Sequence, residues 1–153
     1  MLKVCDYVSC AINESEVVLA VFLDIQKAFD TVNHRILFGK LEHAGVRGVS
    51  LAWFKSLMTK RRQQVRVGDS LSPNMCFIDI GVLQGSILGV LLFIIFMNYI
   101  KNCTPRLFKI MFVDDISGLL IARNIETLIE EAGPELDSLV RWYVCNKFTI
   151  HPV

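Results

Sequence analysis

The sequence predicts an α/β fold, with antiparallel strands and helices packed on one side of them. Two stretches predict it. Val17 to Asp24 is a continuous apolar run that ends in an acid. Leu107 to Leu120 sets the adjacent carboxylates Asp114 and Asp115 between two apolar runs. Each run has the length and the aromatic and β-branched content of a strand. The segments between these stretches repeat apolar residues at helical spacing, so helices are expected to cover the sheet.

Composition bounds the possibilities. The chain has 153 residues, of which 53% are hydrophobic and 20% charged. Its mean hydropathy of +0.47 fits either a membrane protein or a core piece of a larger body. The most membrane-like run, Ile87 to Tyr99, is about 13 residues, short of the ~20 that a spanning helix needs. A buried helix is the better reading, and no membrane is expected. A net charge of +1 is far from the strongly basic balance of a free-standing nucleic-acid module. Cys5, Cys10, Cys76, Cys103 and Cys145 are odd in number and lack CxxC spacing, so they read as small core residues of a reducing compartment. No basic segment followed by an apolar segment and a small-residue cleavage site opens the chain, so no signal peptide is expected.

Taken in order, Met1 to Asn13 has helical spacing at Leu2, Val4, Cys5, Val8 and Ile12. Glu14-Ser15-Glu16 is a polar turn. Val17 to Asp24 is hydrophobic without alternation, which marks a strand covered on both faces. A helix follows from about Asn33 to His43, carrying Ile36, Leu37 and Leu41 on one face, with Gly45 as its stop. Ser50 to Thr59 is a second helix with Leu51, Phe54 and Leu57 in its stripe. Lys60 to Val67 is a basic segment that turns into a short strand. Gly68-Asp69-Ser70 is a turn, and Met75 to Ile80 returns as a strand.

The loop Gly81 to Ser86 leads into a long apolar helix from about Ile87 to Lys101, broken by Thr104-Pro105. The strands around 107–113 and 116–122 then form a hairpin with Asp114-Asp115 at its tip. They join the strand at 17–24 in a central sheet. The last helix runs from about Glu126 to Cys145, with Leu128, Ile129, Leu136, Leu139 and Val140 inward and Pro134 interrupting or kinking it. Lys147 to Ile150 is a short last strand. Residues 1–153 are expected to form one partial domain without repeats or linkers.

Three places carry chemistry. Asp24 ends a buried strand, and with Asp114 and Asp115 it would make a cluster of acids that needs cations to stay ionised. Oxygen-only ligation suits Mg²⁺ or Mn²⁺. Taken singly, Asp24 also fits a helix cap, and the Asp114-Asp115 pair also fits a solvated turn. The loop Gly81 to Gly89 brackets Gln84 with glycines and leaves N–H groups at a helix start, open to a flat or charged ligand. It equally fits a plain connection from hairpin to helix. Lys60, Arg61, Arg62 and Arg66 suit phosphate contacts, and they equally suit an ordinary solvated loop. His34, His43 and His151 lack partners at ligand spacing and read as surface or packing residues.

Together and in this order, these stretches resemble the reverse transcriptases of non-LTR (LINE-type, jockey-like) retrotransposons, over about Val17 to Pro152. Phe22-Leu23-Asp24-Ile25-Gln26-Lys27-Ala28-Phe29-Asp30-Thr31-Val32-Asn33-His34 resembles the first catalytic motif of that family. Gly81-Val82-Leu83-Gln84-Gly85-Ser86-Ile87-Leu88-Gly89, followed by Leu91-Leu92-Phe93, resembles the second. Phe112-Val113-Asp114-Asp115 stands where the family has aromatic-Ala-Asp-Asp, and Trp142 to Pro152 resembles the stretch after it.

The resemblance implies a polymerase palm, with the fingers largely and the thumb wholly missing. Asp24, Asp114 and Asp115 would be catalytic and, with the backbone carbonyl of Ile25, would bind two Mg²⁺ (or Mn²⁺) ions. Phe29 would lie under the incoming sugar and exclude a 2′-hydroxyl. Gln84 and Gly85 would contact the incoming nucleotide and the template base. Arg61, Arg62 and Arg66 would meet nucleic acid. The implied partners are an RNA template, a DNA primer and deoxynucleotides, together with the missing fingers and thumb. The parent product is expected inside the cell, in cytoplasm and nucleus. Leu83, Val90 and Val113 depart from the family's usual Pro, Pro and Ala. With the missing regions, these departures motivate an alternative in which the chain is an inactive retrotransposon relic that keeps only the fold.

Overall fold

A computed structural model describes residues 2–112 and 115–149. The fold is mixed α/β, with an antiparallel sheet and helices. The elements run α1 (Leu2–Asn13), β1 (Val17–Leu23), α2 (His34–His43), α3 (Gly48–Met58), β2 (Arg61–Gln63), β3 (Arg66–Val67), β4 (Ser70–Leu71) and β5 (Cys76–Ile78). They continue with α4 (Ile87–Met97), a 3₁₀ turn (Asn98–Asn102), β6 (Phe108–Phe112), β7 (Asp115–Ala122) and α5 (Ile125–Cys145). No helix among the described residues is long and apolar enough to cross a membrane.

The chain divides into two compact units. The first holds the described residues within Met1–Gln26, Tyr99–Cys145 and Thr149–Val153. Its sheet has the order β1-β7-β6, all antiparallel. The register pairs Val17 with Ala122 and Leu23 with Ile116 on one side of β7, and Phe108 with Leu119 and Phe112 with Asp115 on the other. β7 is the central strand and buries Ile116, Gly118, Leu119, Leu120 and Ala122. Gly118 sits where a Cβ would come 2.7 Å from Leu107 Cδ2, so the missing side chain is what lets Leu107 pack over the strand. α5 lies against β7 and β1, α1 lies against β1, and Tyr7 of α1 stacks on Phe108 at 4.4 Å between ring centroids.

The second unit comprises Lys27–Asn98 and Asn146–Phe148. Here α2 packs on α3 and α4 around Leu37, Leu41, Met58, Leu92, Phe93 and Phe96. The start of α2 is capped by Asn33, whose side chain accepts from the Ile36 amide. That cap satisfies a donor the helix itself cannot. Lys40 of α2 donates to the Phe96 carbonyl at 2.6 Å and to Asn146 Oδ1 at 2.5 Å, with Nζ 3.8 Å from the Phe96 ring centre. Burial pulls the Lys40 pKa down to about 8. β2–β5 and β3–β4 form two short antiparallel ladders.

Several expectations need correction. β1 is not covered on both faces. Its Ala20 and Phe22 face is open, with Ala20 exposed and Phe22 74% exposed, and the strand is also an edge strand of this sheet. Continuous hydrophobicity reports what a strand can bury, not its position in the sheet. The inward face of α5 is Leu128, Ala132, Glu135, Leu139 and Tyr143, whereas Ile129 and Val140 are exposed. The helix continues through Pro134, which lies on its exposed side, where water can meet the carbonyl that the proline leaves without a donor. The apolar α-helix ends at Met97 and tightens into the 3₁₀ turn. Among residues 147–149 no strand forms, and Phe148 is instead buried edge-on to Phe96 at 5.2 Å. The cysteines are not core residues: Cys5, Cys10, Cys76 and Cys145 are exposed, and Cys103 is half-buried.

Candidate active site

One candidate cluster is at one end of the β1-β7-β6 sheet. β1 closes with Leu23 opposite Ile116, and Asp24 is the next residue. β7 opens with Asp115, whose partner on β6 is Phe112. The antiparallel register therefore brings the end of β1 and the start of β7 to the same edge, with the exposed carboxylates of Asp24 and Asp115 at it. Asp115 stands at the turn end of the β6–β7 hairpin, as expected, as the first residue of β7 held by ladder pairing with Phe112. Asp114 and Val113 lie outside the described residues. Ile25, after Asp24, buries its side chain to 2% exposure. That anchor fixes the chain just past the acid.

The field of Asp24 is felt on α5. Burial raises the Tyr143 phenol well above its ordinary value, with Cys103 and then the Asp24 carboxylate adding to the rise. Among the described residues no three acids, histidines or cysteines form a metal-holding group. The described part of this edge does supply carboxylate and carbonyl oxygens, the donor type that Mg²⁺ takes, and no soft donor is needed.

A separate candidate cluster lies in the other unit and is built from two loops laced together. The turn after Lys27, which takes a left-handed φ of 50°, is closed by Asp30 N donating to Lys27 O at 2.8 Å. The Gly81 amide donates to Val32 O and the Val82 amide to Phe29 O, both at 2.8 Å. His34 is buried, and its Nε2 donates to the Gly81 carbonyl at 2.7 Å. Gly81 has a φ of 83°, and a Cβ there would come 2.9 Å from Asp30 O. Only glycine permits both that conformation and that approach. Gln84 Nε2 then donates to Asp30 Oδ1 at 3.1 Å.

Beyond Gln84, Gly85 takes a left-handed φ of 77°. Ser86 caps α4 by accepting from the Gly89 amide at 2.9 Å, and its hydroxyl donates to Leu83 O at 2.8 Å. At Gly89 a Cβ would come 2.0 Å from Leu83 O, so the loop closes only over glycine. Leu83 and Val90 leave this closure intact, and the Val90 amide donates to Ser86 O at 3.4 Å, a bond that proline could not make. Phe29 is half-buried, with its ring stacked on Phe93 of α4 at 4.6 Å.

Arg61, Arg62 and Arg66 divide by role. Arg61, on β2, lines a cavity of about 250 Å³ together with Asp30, Gln63, Gly81 and Gln84. Its Nη1 is buried with no hydrogen-bond partner. Arg62 is exposed, its guanidinium 5.3 Å from the Phe77 ring centre. Arg66 is tied into its own turn, donating from Nε to Gly68 O at 3.0 Å and lying 3.8 Å from Asp69.

The structure thus brings Asp24 and Asp115 to one edge, and Arg61 and Gln84 around one cavity. Sequence reasoning missed Asp30 and His34. Of the two readings of His34, surface or packing residue, the structure supports the packing one, with a buried hydrogen bond to Gly81, a contact between residues 47 positions apart. The signal for both lay inside the first motif, as polar residues flanking Val32, whose side chain is fully buried.

Comparison with known proteins assigns the chain a family. The family described as "Reverse transcriptase (RNA-dependent DNA polymerase)" matches residues 3–152. A "Probable RNA-directed DNA polymerase from transposon BS" of Drosophila melanogaster is 38% identical over 151 residues, covering 92% of this chain and 16% of that protein. The "RNA-directed DNA polymerase from mobile element jockey" of the same organism is 28% identical over 147 residues, with the same 92% and 16% coverage. The chain therefore spans only a small part of the length of these relatives. With the family matched over nearly its whole length, the chain belongs to the reverse transcriptase (RNA-dependent DNA polymerase) family, of the non-LTR retrotransposon kind that its motifs resemble.

Proposed function

We propose that this chain carries the nucleotidyl-transfer centre of an RNA-directed DNA polymerase, in which a primer 3′-hydroxyl is extended with deoxynucleotides on an RNA template. The observation that carries the reading is the register that sets Asp24 and Asp115 at one edge of the sheet. Asp24, Asp114, Asp115 and the Ile25 carbonyl would hold two Mg²⁺ (or Mn²⁺) ions. Such ions, when bound, neutralise charge on the attacking and leaving oxygens of a phosphoryl transfer.

The chain's own residues would position the reactants, which is most of catalysis in this chemistry. Phe29, backed by Phe93, would floor the sugar and exclude a 2′-hydroxyl. Gln84 and Gly85 would meet the incoming nucleotide and the template base. The unpartnered Nη1 of Arg61 suits a phosphate oxygen, with Arg62 and Arg66 contributing longer-range attraction. The parent product would be found in cytoplasm and nucleus, to be tested by fractionating cells that express it. The test of the centre is primer extension by the longer protein that contains this chain: Asp24→Asn should abolish it, and extension at the wild-type rate would overturn the assignment.

We infer for the 153-residue chain alone that it keeps the fold without turning over, a relic reading motivated by its departures from the family's usual residues at Leu83, Val90 and Val113, although Leu83 and Val90 leave the loop closure intact. Processive primer extension by this chain with Mn²⁺ would remove that reading.

A further inference from the structure

We propose that Asp30 is a positioning residue that sets the orientation of the Gln84 side-chain amide, so that Gln84 offers its carbonyl oxygen to a hydrogen-bond donor on the incoming deoxynucleotide. The inference rests on the nucleotide reading of Gln84 given above.

The geometry starts with the backbone. Phe29 O, Val32 O and the His34 ring hold Gly81 and Val82 through three hydrogen bonds of 2.7–2.8 Å. Gly81 brings its own backbone against that of Asp30. The two loops are thus registered before any exposed side chain acts. Asp30 and Gln84 form the outermost rung of this ladder, and their bond is the one the structure records for the Gln84 side chain.

Chemistry then fixes the direction of the amide. An ionised carboxylate only accepts hydrogen bonds, so the amide nitrogen must face Asp30 and Oε1 must turn away. Without Asp30 the amide could rotate, and its two ends would compete for the same ligand group. The Asp30 charge also repels a phosphate from this spot, which leaves a hydroxyl or N–H group as the partner of Oε1. The phosphate-seeking group on the same cavity is Arg61.

The experiment uses the 153-residue chain labelled with ¹⁵N. In the wild type, the two Gln84 Nε2 protons should be separated more widely than those of a free glutamine side chain, because only one of them faces a carboxylate. Asp30→Ala should narrow that separation to the free-glutamine value while the backbone amide of Val82 keeps its position. Asp30→Asn, which still offers an oxygen, should restore part of it and serves if the alanine variant fails to fold. An unchanged Gln84 signal in folded Asp30→Ala overturns the proposal.

The second arm measures binding of a deoxynucleoside triphosphate and of inorganic triphosphate, each with Mg²⁺. Asp30→Ala should weaken the nucleotide about fivefold and leave triphosphate unweakened, or tightened by loss of the repelling charge. Equal weakening of both, or of neither, overturns the proposal. If the wild type binds no nucleotide, the nucleotide reading of Gln84 fails for this chain, and the spectroscopic arm still decides the role of Asp30.

Discussion

The acidic edge of the sheet and the glycine loop before α4 are held in different ways. At the edge, Asp24 and Asp115 are placed by strand pairing: their carboxylates are exposed, and the ladder ends at Leu23–Ile116 and Phe112–Asp115. At the loop, Gln84 is placed by specific contacts, with His34 on Gly81, Ser86 on Gly89 and Asp30 on Gln84 itself. A register is shared over many residues, so no single side chain away from the edge controls it. A laced loop depends on each lace. The acids should therefore tolerate substitutions around them but not of themselves, and the loop should be sensitive at residues that never touch a ligand.

The sharpest separation is Asp24→Asn. Primer extension by the longer protein should fall by about a hundredfold or more, because stabilising the developing charge accelerates such reactions more than any other single effect. The midpoint of chemical denaturation should move little, since Asp24 is exposed.

Next come paired glycine substitutions, one in each region. Gly89→Ala drives a Cβ to 2.0 Å from the Leu83 carbonyl, a backbone atom. It should cost about 3 kcal/mol in denaturant unfolding. Gly118→Ala meets the flexible Leu107 Cδ2 at 2.7 Å and should cost about 1 kcal/mol. Equal costs would break the contrast between a laced loop and a paired sheet.

His34→Ala removes the buried donor to Gly81 O. It should lower stability by about 1–3 kcal/mol, and it should raise hydrogen exchange at the Gly81 and Val82 amides more than at β7 amides. Uniform exchange across both regions would mean that the loop is not held locally.

The smallest effect is a pH dependence in the unit that carries the loop. The folded pKa of Lys40 is lowered to about 8 from an ordinary 10.5. Between those values the unfolded chain binds the extra proton, so stability rises with pH across that window and is lowest below it. The Phe96 ring favours the ammonium and works against part of this. With solvent screening the gain is about 1 kcal/mol. Lys40→Met should flatten the profile of denaturation midpoint against pH between 8 and 10.5.

Much of the sheet was legible in the chain because strand signals are local. Val17–Leu23 and the two runs around Asp114-Asp115 carry enough β-branched and aromatic residues to declare themselves. Helix starts were legible where a cap was present, at Asn33 and Ser86. The inward face of α5 was not, because Ile129 and Val140 are as apolar as Leu128 and Leu139, and pattern alone cannot choose between adjacent stripes. The last short strand was misread because Phe148 satisfies its apolar ring against Phe96 rather than in a ladder.

By itself the sequence determined the family, the order of the motifs and the acids on which the proposed chemistry rests, since these depend on residue type and spacing along the chain. Tertiary structure alone decided that β1 is an edge strand and that Asp115 opens β7. It also decided that Asp30 and His34 belong to the Gln84 loop. Those facts arise from contacts between residues far apart in the chain, such as the 47 positions from His34 to Gly81 and the 54 from Asp30 to Gln84. No local pattern encodes such contacts, because a hydrogen bond is satisfied by whichever partner the packed chain brings within reach.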